Sequence, residues 1–244
     1  MTTGPDQNAQ RGYAFFDVDD TLVLMKTMFS FQDYYYRHAG LAAWLVGPRR
    51  AARFDTVCQR YRLAGRPREE LNRMYYQTFT GRRPGAVSKM VARWYAHSRA
   101  VMPEFYRATA LQALQRHQEA GDAVVLVSGS MVQILQPIAD DLAVPTDHVL
   151  ATRVAVSRGR YTGEIIPPQT IGAGKAEAVA GFMRAHEADP ARCWAYGDHE
   201  SDFPMLETAG HAVVVSDEPA MLDAARERGW EILPASQPQS RAVR

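Results

Sequence analysis

Short apolar runs at three places in the chain each end in polar residues. They are YAFF at 13–16, AVVLV at 123–127 and CWAY at 193–196, followed by Asp17, Ser128 and the pair Gly197 and Asp198. Continuous apolar runs of about five residues are typical of parallel strands that helices cover on both faces. Helical patterns precede the second and third runs, in PEFYRATALQALQRHQEAG and KAEAVAGFMRAHEA. This alternation predicts an α/β fold with a Rossmann-like parallel sheet.

The pattern changes between residues 26 and 102. Four segments there have helical character, MFSFQDYYYRHAGLAAWLV, RRAARFDTVCQRYRLAG, REELNRMYYQTFTG and AVSKMVARWYAHSRAV, separated by GPRR, GRP and GRRPG. We interpret residues 26–102 as a helical cap inserted into an α/β core of residues 12–25 and 103–233. Residues 1–11 and 234–244 are expected to be flexible tails.

The core and the cap each contain one further recognisable feature. The segment VLATRVAVSRGRYTGEII alternates around SRGR, which predicts a β-hairpin. The aromatic side chains at the start of the cap are expected to form its core, with one or two lining the cleft. They are Phe29, Phe31, Tyr34, Tyr35, Tyr36 and Trp44.

Composition narrows the class of protein. The 244 residues are 46% hydrophobic, which favours a folded globular chain. The 28 Lys and Arg nearly balance the 27 Asp and Glu, so we expect neither a nucleic-acid nor a membrane partner. No apolar run approaches the roughly 18 to 20 residues that span a bilayer. Cys58 and Cys193 are far apart, as is usual for buried thiols in a reducing compartment, and a cytoplasmic location is expected.

Acidic residues gather where the predicted strands end. Ligands of open parallel sheets bind beyond the carboxyl ends of the strands, so Asp17, Asp19 and Asp198 should converge on one rim with Ser128. Together with Asp202, they would repel any anion unless a cation is present. Oxygen ligands of this kind suit a hard divalent cation, with Mg²⁺ preferred, and Mg²⁺ bridges readily to phosphate.

Two further features provide for an anion at the same rim. Lys175 adds positive charge, and SGSMVQILQPI, which begins at Ser128, is a strand-to-helix turn. The hydroxyl and free backbone N–H groups of such a turn, including Gly129, can hold phosphate oxygens. Acidic cluster, lysine and N–H cradle together predict a site for phosphoryl chemistry.

These segments carry a family resemblance. DVDDT at 17–21, Ser128 after a hydrophobic strand, Lys175 and GDHESD at 197–202 resemble, in order and spacing, the four motifs of the haloacid dehalogenase (HAD) superfamily of aspartate-nucleophile phosphatases. The helical insertion after the first motif resembles the C1 cap of subfamily IB, the phosphoserine-phosphatase-like branch. The resemblance extends from about residue 12 to residue 233.

The resemblance implies a role for each motif residue. Asp17 would be the nucleophile that forms an aspartyl-phosphate, and Asp19 the general acid and base. Ser128, Gly129 and Lys175 would bind phosphate. Mg²⁺ would bind the Asp17 carboxylate, the Asp19 backbone carbonyl and Asp198, while Asp202 would orient Lys175 or a metal-bound water. The carboxylate of Asp19 is typical of the phosphatase branches and absent from the dehalogenases.

Neighbouring residues receive no such role. Asp20 is assigned no catalytic function, and His199, although next to Asp198, is interpreted as an exposed loop histidine.

Charge within the cap bears on the substrate. Residues 26–102 contain fifteen Lys and Arg against four Asp and Glu, a net charge of +11. Such a cap would draw anionic substrates towards the cleft. Phosphoserine phosphatases have a glutamate for the substrate amine where this chain has Lys26 in LMKTMF. Lys26 and Arg73 are candidates for substrate selectivity, and a second anionic or polar group on the substrate is favoured.

The sequence therefore predicts a Mg²⁺-dependent phosphomonoesterase that acts on a small phosphorylated metabolite through an aspartyl-phosphate. The alternatives within this chemistry are a phosphoserine phosphatase and a phosphotransferase. An alternative of another class is a catalytically idle HAD-like binding protein, and a weaker one is a nucleic-acid binder that uses the basic cap. The sequence predicts no oligomeric state.

Overall fold

The computed structural model of the chain describes residues 11–40 and 43–236. Its strands form one seven-stranded sheet in the order β4-β3-β2-β1-β5-β6-β7. All neighbours are parallel except β3 and β4, which pair antiparallel. The strands are β1 (Tyr13–Asp17), β2 (Ala123–Met131), β3 (Val149–Ser157), β4 (Arg160–Ile166), β5 (Cys193–Gly197), β6 (His211–Val215) and β7 (Glu231–Leu233). The predicted α/β fold is confirmed, as is the hairpin.

The central strand β1 is buried on both faces. Ala14 and Phe16 pack into one hydrophobic cluster, while Tyr13 and Phe15 pack into a second cluster on the opposite side of the sheet. Strand residues alternate between faces, so an unbroken apolar run is what burial on both sides requires. The register pairs Asp17 with Val127 of β2 and Phe16 with Tyr196 of β5. The carboxyl ends of β2, β1 and β5 therefore lie side by side.

Helices cover both faces of the sheet and form the insertion. Those in the insertion are α1 (Thr27–His38), α2 (Ala43–Leu63), α3 (Arg68–Gln77) and α4 (Pro84–Val101). Those around the sheet are α5 (Ala108–Ala120), α6 (Val132–Asp141), α7 (Ala173–Ala185), the single turn α8 (Phe203–Leu206) and α9 (Pro219–Arg228). None of the helices in the described ranges is long and apolar enough to cross a membrane.

The boundary between the first two helices differs from the prediction. The first predicted helix continued to Val46 and ended at GPRR, whereas α1 ends at His38 and GPRR lies inside α2. Gly47 explains why the Gly-Pro pair lies within a helix. A Cβ there would lie 2.3 Å from the carbonyl oxygen of Tyr36, so glycine permits two helices to pack at close range. A Gly-Pro pair that resembles a turn in sequence is here part of a helix crossing.

The inserted helices pack on the core through a third hydrophobic cluster. It joins Phe31, Tyr75 and Trp94 of the helices to Met131 and Ile134 at the end of β2 and the start of α6. The aromatic prediction is confirmed for Phe31, which is fully buried, while Phe29 lines the cleft. The side chain of Trp44 lies outside the described residues.

Both chain ends contact the core where they are described. Arg11 Nε donates to the carbonyl of Gly121, and Arg107 Nη1 donates to that of Ala235. Ser236 donates to the Asp217 carboxylate through its N–H and its hydroxyl. Ala235 and Ser236 of the predicted tail are therefore bonded to the core, and residues 1–10 and 237–244 lie outside the described ranges. Cys58 and Cys193 are buried free thiols, as predicted.

Candidate active site

Asp17 lies at the carboxyl end of the central strand and is only 5% exposed. Lys175, in the first turn of α7 and also 5% exposed, donates from Nζ to Asp17 Oδ1 at 2.5 Å and to Asp202 Oδ1 at 2.6 Å. Thr21 Oγ1 lies 3.1 Å from Asp17 Oδ2 and 2.8 Å from Asp198 Oδ1. Asp17 therefore has a cation on one oxygen and a hydroxyl on the other.

Negative charge predominates among these buried side chains. Burial raises the pKa of Asp17 to about 7, against the lowering effect of Lys175. Burial and then the charge of Asp202 also raise the pKa of Asp198. Burial opposes the charge of Lys175, but Asp17 and Asp202 outweigh it and raise the pKa of the ammonium, which stays protonated. One buried lysine thus faces three aspartates, and a further cation would lower the energy of the site.

The donor set fits a hard divalent metal ion. Carboxylate oxygens of Asp17, Asp198 and Asp202 lie within 4.8 Å of one another, and all are oxygen ligands. Such ligands suit Mg²⁺, which binds through one or two carboxylates and keeps its remaining positions for water and substrate phosphate. The Asp19 carboxylate lies outside this group of described residues.

Asp19 is held by the start of the first inserted helix. Its Oδ1 accepts from the Thr27 N–H at 3.0 Å and from Thr27 Oγ1 at 2.6 Å. Ser130 Oγ is in hydrogen-bond contact with Thr27 Oγ1. Burial and then the charge of Asp17 raise the pKa of Asp19 to about 6, although the two bonds from Thr27 act in the opposite direction. A carboxyl group with this pKa can both give and take a proton near neutral pH.

The turn after Ser128 is fixed by a helix of the insertion. Ser128 Oγ accepts from the Ser130 N–H at 3.0 Å, which leaves its own proton available for another acceptor. The Gly129 carbonyl accepts from Asn72 Nδ2 at 2.9 Å and from the Tyr76 hydroxyl at 2.7 Å. A Cβ on Gly129 would lie 2.6 Å from Ile171 Cγ1, so the turn has no room for a larger residue.

These residues open into one cavity of about 480 Å³. Its core side is formed by Asp17, Asp19, Ser128, Gly129, Lys175, Asp198 and Asp202, all of which the sequence analysis named. Lys26 also lines the cavity, and its ammonium lies 2.5 Å from Asp20 Oδ2. Arg73 is not among the described lining residues, because its guanidinium turns to Gln169 and donates to Oε1 at 2.8 Å.

The comparisons with known proteins decide the family. The haloacid dehalogenase-like hydrolase family matches residues 14–207, most of the chain. The chain belongs to the haloacid dehalogenase-like hydrolase family. A probable phosphatase of Mycobacterium tuberculosis (strain ATCC 25618 / H37Rv) is 30% identical over 249 residues, which cover 98% of this chain and 81% of that protein. The prediction of a HAD-family phosphatase is confirmed.

Solved structures agree with the HAD fold. A protein of unknown function from Bordetella pertussis Tohama I superposes with a TM-score of 0.77 at 24% identity, over 93% of this chain and 99% of that one. A phosphoserine phosphatase, in a structure described as a phospho-aspartyl intermediate analogue, superposes with a TM-score of 0.62 at 17% identity. That alignment covers 93% of this chain and 94% of the other.

Sequence reasoning missed the residues that position the HAD motifs. Thr27 donates to the Asp19 carboxylate, and Ser130 contacts the Thr27 hydroxyl. The Gly129 carbonyl accepts hydrogen bonds from Asn72 and Tyr76. One signal was present in the sequence, because Asn72 and Tyr76 are four residues apart and a buried asparagine within an apolar helix face needs a partner.

Two loop residues next to the motifs also have defined places. His199 is exposed, as expected, yet it lines the cavity, with Nδ1 3.0 Å from Arg68 Nη1. Asp20 has a positive φ of 65°, and its carbonyl accepts from Arg107 Nη2 at 2.6 Å. Asp20 thus contributes to the turn after β1 and is not among the described residues that line the cavity.

Proposed function

We propose that this HAD-family phosphatase is a Mg²⁺-dependent phosphomonoester hydrolase that acts on a small phosphorylated metabolite through an aspartyl-phosphate at Asp17. The observation that carries the proposal is the separation of two carboxyl groups in one cavity. Asp17 is bonded to Lys175, whereas Asp19, two positions later, is bonded to Thr27. Different partners give the two groups different roles.

In the first step, a carboxylate oxygen of Asp17 attacks phosphorus and the bond to the leaving oxygen breaks. Lys175 favours the ionised form of the nucleophile, because its ammonium lies 2.5 Å from Asp17 Oδ1 and opposes the effect of burial on the Asp17 pKa. Asp19 gives its proton to the leaving oxygen, so that an alcohol departs. Asp17 then carries the phosphoryl group as a mixed anhydride.

In the second step, water attacks the phosphorus of the aspartyl-phosphate and passes its proton to the Asp19 carboxylate. Inorganic phosphate leaves, Asp17 is again a carboxylate, and Asp19 is again protonated. A pKa of about 6 for Asp19 suits both halves of this cycle, since neither protonation state is costly near neutral pH.

Phosphate is held, in this proposal, by the Ser128 hydroxyl, the backbone at Gly129 and Lys175. Asn72 and Tyr76 fix the Gly129 peptide from the helical insertion. Asp17, Asp198 and the Asp19 carbonyl would hold Mg²⁺, with Asp202 keeping Lys175 in place. When bound, the ion supplies positive charge that lets a phosphate dianion approach the aspartates.

We further propose that residues 26–102 act as a cap domain over a core of residues 12–25 and 103–233. Residues of the insertion support this, because Lys26, Arg68 and Asn72 line the same cavity as the aspartates. A cytoplasmic location and the absence of nucleic-acid partners stay predictions.

Phosphoserine phosphatase activity is the second candidate, and transfer of the phosphoryl group to an acceptor other than water is a variant of the same chemistry. The structural likeness to a phosphoserine phosphatase favours the phosphoserine phosphatase activity. Lys26 argues against phosphoserine, since a lysine stands where the family resemblance implies a glutamate for the substrate ammonium.

Phosphate release from a panel of phosphorylated metabolites, with Mg²⁺ and with a chelator, tests the proposed function. Asp17→Asn should fold and show no turnover. Asp223→Asn is the matched control, because Asp223 is exposed, pairs with Arg226 and is outside the described cavity lining. Asp223→Asn should stay within a few-fold of wild type, and release by Asp17→Asn at the wild-type rate would overturn the mechanism.

A further inference from the structure

The insertion between β1 and β2 presents positive charge to the cavity. Lys26, Arg62, Arg66 and Arg68 all line it. The acidic residues in the described lining are the four core aspartates, Asp17, Asp19, Asp198 and Asp202. Within the described residues, the cavity is therefore acidic on its core side and basic on its cap side.

Two of the four cations are already paired with carboxylates. Lys26 lies 2.5 Å from Asp20 Oδ2, and Arg66 Nη1 lies 2.7 Å from Glu70 Oε2. In each pair the carboxylate neutralises much of the positive charge. Neither Lys26 nor Arg66 is therefore the preferred binding site for an anion of the ligand.

The other two cations have neutral partners among the described residues. Arg68 Nη1 donates to Ser201 Oγ at 2.9 Å and lies 3.0 Å from His199 Nδ1. The Arg62 guanidinium lies over the ring of Phe29, 5.2 Å from its centre. An arginine without a carboxylate partner keeps its affinity for carboxylate or phosphate, which it binds through a planar fork of N–H groups.

An apolar wall accompanies the arginines. Met28, Phe29, Tyr61, Leu71 and Ile171 line the same cavity. At about 480 Å³ the cavity is far larger than a phosphate and falls in the range of sites for small organic molecules. Room, apolar surface and cations thus occur together in the cavity that also holds the aspartates.

We propose that Arg62 and Arg68 form a second anion subsite, and that the substrate is a phosphomonoester with a second carboxylate or phosphate carried beyond an apolar segment. The inference rests on the proposed function and deepens it. A substrate with an ammonium at that position, such as a zwitterionic amino-acid phosphate, would meet only positive charge from the described cap residues that line the cavity.

Matched aryl phosphates test the subsite. Phenyl phosphate and 4-carboxyphenyl phosphate differ by one carboxylate, and 4-(aminomethyl)phenyl phosphate carries a cation at the same place. Wild type should prefer the carboxylate over the unsubstituted compound by about tenfold or more in kcat/KM, as charged hydrogen bonds allow. The ammonium compound should be the poorest of the three.

Arg62→Gln and Arg68→Gln should each lower the preference for the carboxylate by about tenfold. Arg60→Gln is the matched control, because it removes the same charge from the same helix without lining the cavity. It should keep the wild-type preference. Equal kcat/KM for the three compounds in wild type, or an equal loss in Arg60→Gln, would overturn the subsite.

Calorimetric binding to Asp17→Asn separates this inference from the mechanism. Tighter binding of 4-carboxyphenyl phosphate than of phenyl phosphate, lost in Asp17→Asn/Arg68→Gln, supports the subsite even if wild type has no turnover and the proposed function fails. Equal affinities, or no binding of either compound, overturn the subsite while leaving turnover of other phosphomonoesters as the test of the mechanism.

Discussion

Asp17 and Asp19 are two positions apart in the chain, yet the fold gives them different surroundings. Asp17 ends β1 and meets Lys175, a residue 158 positions later. Asp19 accepts from the first residue of α1, so the N-terminal end of that helix stabilises its charge. The two carboxyl groups are thus controlled separately, one by the core and one by the insertion.

Thr27→Val tests how Asp19 is controlled. Valine keeps the shape but removes the hydroxyl that donates to Asp19 Oδ1 at 2.6 Å. Because that bond favours the carboxylate, its loss raises the pKa of Asp19 further. The high-pH decline of kcat/KM, which reports loss of the proton from Asp19, should move to higher pH, and kcat should fall by roughly tenfold.

The control for this change is Thr27→Ser, which keeps the hydroxyl and should restore the wild-type pH profile. If the valine and serine variants gave the same profile as wild type, Thr27 would have no part in setting the pKa of Asp19.

Asp19→Asn should stabilise the protein without metal. Burial and the charge of Asp17 raise the pKa of Asp19 to about 6, above the usual value of about 3.9 in an unfolded chain. The folded state therefore binds the extra proton between these values, and stability falls as pH rises from about 4 to about 7. Asparagine removes that cost, on the order of 1–3 kcal/mol, while its carbonyl still accepts from Thr27.

The measurement is thermal unfolding in chelator at pH 7.5 and pH 4.5. Asp19→Asn should unfold at a higher temperature than wild type at pH 7.5, with a smaller difference at pH 4.5. The exposed Asp223→Asn serves as the control and should show little change at either pH. An Asp19→Asn protein less stable than wild type at pH 7.5 would contradict the electrostatic account.

Sequence reasoning named the residues to which we assign the chemistry but not those that position them. Asp17, Ser128 and Asp198 could be found because each follows an apolar strand of a parallel sheet. Asn72 and Thr27 could not be placed in the same way, since their contacts depend on how the insertion packs against β2 and the turn after β1. Arg73 is the opposite case, because it was named from the sequence as a candidate for substrate selectivity. Its guanidinium instead donates to Gln169, which lies 96 positions away in the chain.

At the scale of elements, the crossing of α1 and α2 depends on one glycine. A Cβ on Gly47 would lie 2.3 Å from the Tyr36 oxygen and 2.9 Å from the Arg37 Cα. Both are backbone atoms, which cannot rotate out of the way as a side chain could.

Gly47→Ala should therefore force the two helices apart and lower the free energy of unfolding by about 1–3 kcal/mol. Gly85→Ala is the matched control within α4, because nothing lies within 4 Å of its Cβ position. That variant should be neutral or more stable by about 0.4–1 kcal/mol. Chemical denaturation measures both, and equal effects of the two variants would contradict the proposed crossing.

Strands and helices could be predicted where the hydrophobic pattern of the segment was typical of one kind of element. Three parallel strands and the hairpin followed from apolar runs and alternation. Strands β6 and β7 were not identified, and β7 has only three residues with partly exposed side chains. The end of α1 was misplaced because Gly-Pro usually marks a turn, whereas here the glycine serves packing and Pro48 lies within α2.

On the scale of the whole molecule, charge is divided between the insertion and the rest. Residues 26–102 carry a net charge of +11, while the other residues have 13 Lys and Arg against 23 Asp and Glu, a net charge of −10. A nearly neutral total of +1 conceals this division. Opposite charges on the two parts favour their approach and leave a positive surface towards anionic substrates.

Metal binding should couple to stability across the molecule. Mg²⁺ that binds the folded state alone stabilises it by about 2.7 kcal/mol at a hundred times its dissociation constant. Wild type should therefore unfold at a higher temperature with Mg²⁺ than with chelator.

Asp198→Asn should lose most of this metal-dependent shift, because it removes one of three clustered carboxylates. Asp223→Asn, an exposed aspartate paired with Arg226, should keep the full shift. A shift of wild-type size in Asp198→Asn would place the metal elsewhere.

The most direct test of the central claim is to trap the phosphoenzyme. Wild type would be quenched in acid during turnover of a phosphomonoester and treated with borohydride, which reduces an aspartyl-phosphate to homoserine and releases its phosphate, so that peptide mass spectrometry locates the modified aspartate. Asp17 should be the modified residue, and Asp17→Asn should give no modified peptide. A phosphate found on Ser128, or turnover without any modified aspartate, would contradict the account.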